Sequence, residues 1–184
     1  IAGSAGIALE LVKLFQVELE HYEKIEGTQL SVVGKANRLS VLLRGNLGLA
    51  FQGLAAIPLF AAYDKDQKAG RVFSYDVTGG RYEEHNYYAV GSGSIFAKSS
   101  LKKMYSENLD EKTAIRVSLE SLYDAAEEDS ATAGIDITRE IYPVVSIVNS
   151  QGFRRISDTQ LNEIATKIFG SRKNRPDGPV ASMS

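Results

Sequence analysis

Cysteine and tryptophan are absent from the 184 residues, and histidine, methionine and proline occur only two, two and four times. Without cysteine there is no disulfide framework, no thiolate-ligated zinc, no iron–sulfur cluster and no cysteine nucleophile. His21 and His85 are too few for a three-histidine metal site, and they leave a serine triad two candidates for its base. Both sit beside exposed polar residue types, where a solvated side chain is the commoner role. A surplus of positive charge is missing as well: 21 Lys and Arg stand against 23 Asp and Glu, a net charge of −2. Nothing is left over to neutralise phosphates, so nucleic acid is not an expected partner. No apolar run approaches membrane-spanning length, and no charged stretch followed by an apolar one opens the chain. These features predict no membrane partner and a cytoplasmic location. An initial methionine is lacking too, and the opening Ile1-Ala-Gly-Ser-Ala-Gly-Ile7 reads like the middle of a protein.

What is present describes one sizeable core, with 43% hydrophobic and 24% charged residues. Ile7, Leu11, Leu14, Phe15, Leu19 and Tyr22 recur at helical spacing and predict a helix ending near Gly27. A second helical pattern runs from Ala36 through Leu43 and Leu47 to Leu54. The spacing then changes. Ile57–Tyr63, Arg71–Val77 and Arg81–Val90 predict three strands in an antiparallel meander, separated by a charged turn and by Gly79-Gly80. Ser94 is the expected cap of a helix through Met104, and Asp110 the cap of a helix carrying Ile115, Leu119, Leu122 and Ala126. Val144–Val148 and Gly152–Ile156 flank a turn. Asp158 is the expected cap of a last helix stopped at Gly170. Residues 1–170 therefore read as one α+β domain, and residues 171–184, basic and nearly devoid of apolar side chains, as a flexible tail.

Candidates for chemistry are few. Gly91-Ser-Gly-Ser94 is a strand-to-helix turn whose N–H groups could hold an anion or an oxyanion, with Ser92 offering a hydroxyl. It lacks the lysine of a P-loop and the third glycine of a dinucleotide fingerprint, so a tight turn plus helix cap is the simpler reading. The carboxylates from Asp124 to Asp129 could bind a cation, or form a solvated helix end. Ser130 and Thr132 follow Asp129 and make a short cluster able to orient hydroxyls or an amine.

Taken together, Ser74-Tyr-Asp-Val-Thr-Gly-Gly-Arg-Tyr-Glu-Glu84, Ala89-Val-Gly-Ser-Gly-Ser-Ile-Phe-Ala-Lys98 and Asp124-Ala-Ala-Glu-Glu-Asp-Ser-Ala-Thr132 resemble the β subunits of 20S proteasomes of the actinobacterial type. Ala2-Gly-Ser-Ala-Gly6 and Lys35-Ala-Asn-Arg38 match too, and the likeness runs from Ile1 to about Gly170. The resemblance implies the N-terminal-nucleophile hydrolase fold, a four-layer αββα sandwich of two antiparallel sheets, here expected without its first strands. It implies a threonine-type endopeptidase with no cofactor and no metal. Its nucleophile is the hydroxyl of a mature N-terminal threonine, with the α-amino group as base and a lysine nearby; neither threonine nor lysine can be placed in this sequence. Carried over residue by residue, Ser92 and Asp129 support the nucleophile's amine. Thr132 does so where many relatives have serine. Gly3 contributes to the oxyanion hole, and Ile1 and Ala5 line the pocket for the residue before the cleaved bond. Implied partners are proteasome α subunits, further β subunits in a seven-membered ring, an ATPase ring or activator acting through the α ring, and peptide or protein substrates. A non-catalytic ring subunit of the same fold, and an anion-binding module built on the Gly91–Ser94 turn, stand as alternatives.

Overall fold

The computed structural model describes residues 1–179. Within the span read as one domain, the chain packs as two compact units: Ile1–Gly91 with Val148–Gly152, and Ser92–Ile147 with the described residues from Phe153 onward.

In the first unit, α1 (Ala5–Glu26) ends where Gly27 turns left-handed, at φ 67°, and donates its N–H to the Glu23 carbonyl. The Oγ of Ser31 accepts the Gly34 N–H at 3.1 Å and starts α2 (Val32–Gly45). The helical pattern predicted through Leu54 does not continue as one helix. Asn46 lies between α2 and α3 (Leu47–Ala50), and its side-chain amide donates to the Leu42 carbonyl at 3.0 Å, competing with the helical ladder. The predicted first strand is divided by Pro58, which has no N–H for a ladder. Before it, β2 (Ala56–Ile57) pairs antiparallel with β1 (Ala2–Gly3), while after it β3 (Leu59–Asp64) enters a separate sheet. That sheet is the expected meander, in the order β3, β4 (Ala69–Tyr75), β5 (Arg81–Glu84). β5 ends at Glu84 rather than Val90 because its pairing with β4 runs only from Tyr75↔Arg81 to Val72↔Glu84.

The β4–β5 turn is organised by one carboxylate. Asp76 Oδ1 accepts from the Thr78 N–H, the Thr78 hydroxyl and the Gly80 N–H at 2.8, 2.6 and 2.9 Å, and Oδ2 accepts from the Tyr82 hydroxyl at 2.9 Å. These donors, the Thr78 hydroxyl first, lower the Asp76 pKa to about 2. Leu11, Ala36, Leu39, Leu42, Leu43, Phe73 and Tyr75 form the unit's core. Each fully buried large side chain contributes about 1.5–3 kcal/mol over an exposed one. Phe15 meets Phe60 edge to face at 5.8 Å, and the Tyr75 hydroxyl donates to the Ala36 carbonyl at 2.9 Å.

The second unit begins with α4 (Ser94–Met104) and α5 (Glu111–Glu128). Asp110 caps α5 as expected, its Oδ1 accepting the Thr113 N–H at 2.7 Å. Gly93, not Ser94, is the α4 cap, and Ser157, not Asp158, caps α6 (Asp158–Asn174). Between α5 and α6 lies a short hairpin, β6 (Ser146–Asn149) and β7 (Gly152–Arg155). Ile115, Leu119, Ile156, Leu161 and Ile168 form this unit's core, with Tyr123 meeting Phe169 edge to face at 5.2 Å.

The predicted stop at Gly170 is not observed; α6 continues four residues into the expected tail. The reason is Arg172. It is 6% exposed, donates to Asp124 Oδ1 at 2.6 Å and to the Pro176 carbonyl at 3.0 Å, and lies over the Tyr123 ring at 5.1 Å. Gly178 turns at φ +84° against its guanidinium. The remainder of the predicted tail, 180–184, lies outside the described residues. Helices in both units, and the antiparallel pairings β1–β2, β3–β4 and β4–β5, give the expected α+β class. Among the described residues no helix is long and apolar enough to cross a membrane.

Candidate functional site

Ser92, Asp129 and Thr132 come together in the second unit. Two antiparallel helices put the start of one beside the end of the other, and here the start of α4 meets the end of α5. Asp129 is the C-cap of α5, extended at φ −122°, ψ 110°, with its N–H still donated to the Ala125 carbonyl. Its side chain thus leaves the helix axis. Asp129 Oδ2 accepts the Ser92 hydroxyl at 2.6 Å and the Thr132 hydroxyl at 2.5 Å. Oδ1 accepts the Ala131 N–H at 3.3 Å, and the Thr132 N–H returns to the Asp129 carbonyl at 3.0 Å, closing the loop into a tight turn.

Those donors hold the Asp129 carboxyl below the ordinary aspartate range, the Ser92 hydroxyl contributing most and Thr132 next. The carboxylate therefore stays charged at neutral pH. Each hydroxyl spends its proton on Asp129 and keeps its oxygen lone pairs available. Such oxygens accept readily from an ammonium or amine N–H, and the negative charge behind them strengthens the bond. The arrangement can accept hydrogen bonds from a donor such as an amine N–H.

Gly93 makes the approach possible. A Cβ there would lie 2.4 Å from Thr132 Oγ1, 3.1 Å from Asp129 Oδ2 and 3.3 Å from the Ala125 Cβ. Sequence reading treats this glycine as part of a turn and misses its role as the gap through which the hydroxyls converge. The anion-cradle reading of Gly91–Ser94 loses its ground, because the Ser92 hydroxyl is already given to a carboxylate that would repel an anion.

Ile1, Gly3 and Ala5 fall in the first unit, along one extended-to-helical stretch. Ile1 is half exposed, Gly3 lies in β1, and Ala5 is the exposed first residue of α1. Gly3 has φ +102°, and a Cβ on it would sit 2.2 Å from the Ala55 carbonyl oxygen, which accepts the Ser4 N–H at 2.8 Å. Only glycine fits that conformation and that contact. His21 and His85 are both exposed, in keeping with solvated side chains. In the acidic run Asp124 is taken up by Arg172 and Ser100, and among the described residues no group of three or more His, Asp or Glu side chains is arranged to hold a metal.

The proteasome subunit family model matches residues 1–138. Among curated proteins, the chain is 58% identical over 187 aligned residues to the proteasome subunit beta of Acidothermus cellulolyticus, covering all of this chain and 64% of that one. It is 57% identical over 183 residues to the same subunit of Streptomyces griseus subsp. griseus, and 52% identical over 183 residues to that of Streptosporangium roseum, covering 65% of each. The chain thus spans just under two thirds of the length of the relatives it matches.

Proposed function

Since this chain belongs to the proteasome subunit family, we propose that it serves as a β subunit of a proteasome core particle and acts there as a threonine-type endopeptidase. The observation that carries this reading is the single carboxylate of Asp129, which gathers hydroxyls from Ser92 and Thr132 into one amine-directed cluster.

In this reading the hydroxyl oxygen of the mature full-length subunit's N-terminal threonine adds to the scissile carbonyl carbon, and its proton passes to that residue's own α-amino group. The C–N bond breaks, the leaving amine takes the proton, and an ester remains. Water then adds to the ester carbonyl, and cleavage of the C–O bond restores the threonine hydroxyl and releases the acid. Ser92 and Thr132 accept hydrogen bonds from the α-amino group, and Asp129 stabilises its protonated form in the transition state. Gly3 offers its N–H to the developing oxyanion. Ile1 and Ala5 line the pocket before the cleaved bond and favour an apolar residue there. The partners are α subunits, neighbouring β subunits in a seven-membered ring, and an ATPase ring or activator; the compartment is the cytoplasm.

The test uses the full-length subunit co-assembled with α subunits. Asp129→Asn is expected to lower fluorogenic-peptide hydrolysis by about 10² or more, with ring size on gel filtration unchanged. Turnover equal to the parent's overturns the assignment. N-terminal sequencing of the assembled subunit should find threonine, and parent rings that assemble yet cleave nothing would favour a non-catalytic ring subunit instead.

A further inference from the structure

Asp129 is not the only carboxylate that ties α4 to α5. Eight residues past Ser92, and six past the first residue of α4, the Ser100 hydroxyl donates to Asp124 Oδ2 at 2.5 Å. Asp124 lies five residues before Asp129, so the same hairpin carries two hydroxyl-to-carboxylate bonds, one at the start of α4 and the end of α5 and one more than a helical turn further in. The inner one is built differently. Ser100 is 6% exposed, and the other Asp124 oxygen is held at 2.6 Å by Arg172 from α6, itself 6% exposed. Arg172 also faces Glu120 Oε2 at 3.7 Å, and Glu120 Oε1 accepts from Arg116 at 2.7 Å.

We propose that Ser100, Asp124 and Arg172 act as positioning residues, fixing the register of α4 against α5 so that the Ser92 hydroxyl stays within bonding distance of Asp129. One hydrogen bond between two helices is a pivot about which they can rock; a second, more than a turn further along, also resists sliding and rotation. The inner bond suits that task because its Ser100 hydroxyl is buried, and because buried Arg172 orients the half-buried Asp124 carboxylate while supplying its countercharge. Near-attack geometry is sensitive enough for this to matter, since a displacement of about 1 Å can cost about 100-fold in rate. The catalytic consequence rests on the peptidase reading above; the register itself does not.

Ser100→Ala and Arg172→Ala in the full-length, co-assembled subunit are the variants, with Ser99→Ala as a neighbouring control. The readout is kcat per active site, titrated with an irreversible peptide inhibitor. Ser100→Ala should lower kcat about tenfold with KM within about twofold, and Ser99→Ala should leave both unchanged. Amide exchange at 93–97 should quicken about fivefold in Ser100→Ala while exchange in α1 holds. A purely structural role would reduce the yield of particles and leave kcat per titrated site alone. Should Arg172→Ala fail to assemble, Ser100→Ala decides. If Asp129→Asn is inactive while Ser100→Ala matches the parent in kcat and in exchange, the positioning proposal fails and the peptidase reading stands. If Asp129→Asn turns over normally, the peptidase reading fails, and exchange at 93–97 alone judges the register.

Discussion

Asp129 shows how much one side chain can be asked to do once its neighbours are small. The carboxylate serves two hydroxyls on a single oxygen, a crowding that only Gly93 leaves room for. Gly93→Ala is expected to push Thr132 off Asp129 and to lower peptide hydrolysis about 10–100-fold. The stability loss should stay at the low end of about 1–3 kcal/mol, because the backbone at φ −76° suits alanine. Measuring the melting temperature beside turnover checks both halves. The folded-state pKa of Asp129 is depressed, so its contribution to stability is complete above the ordinary aspartate range and is lost only as pH falls through the lower native value. Acidification toward pH 5 should therefore leave the cluster charged. Ser92 and Asp129 were legible from the sequence because they sit in recognisable ordered motifs. The need for glycine at position 93 was not, since it arises from atoms nearly forty residues away.

At the scale of helices and strands, legibility followed local chemistry. α1 and α5 form where apolar residues recur at helical spacing, although Leu14, Tyr22 and Leu122 of those series stay exposed, and the Asp110 cap is where a short acceptor precedes an apolar repeat. The misjudged ends have non-local causes: β5 stops where its partner's pairing stops, and α6 runs on because Arg172 finds Asp124. Tyr75 joins β4 to α2 through its bond to the Ala36 carbonyl, and burial raises its phenol pKa. Tyr75→Phe should cost about 1 kcal/mol near neutrality. A raised pKa in a neutral acid means the unfolded chain ionises first, so the parent loses stability as pH climbs past about 10. The variant lacks that loss from this residue, and urea titrations should show the gap between the two narrowing from about pH 9 to about pH 11. A gap that does not change with pH would contradict the buried, un-ionised state of Tyr75.

Across the whole chain, two cores are built by different means. The first gathers α1, α2 and the meander around Phe73, which is 0% exposed. The second joins α5 to α6 around Leu119, also 0% exposed. Leu119→Ala should cost about 2–5 kcal/mol, seen as a lower melting temperature and as faster amide exchange concentrated in α5 and α6. No local pattern in the sequence announces that Leu119 and Ile168 share a core, because periodicity shows which face of a helix is apolar and not which distant helix covers it. That separation along the chain also matters in time. A ribosome adding about 5–20 residues per second exposes the apolar side of α5 for about 2–10 s before Ile168 exists to cover it. A nascent chain paused in that interval offers an uncovered helix to chaperones and proteases until Ile168 arrives.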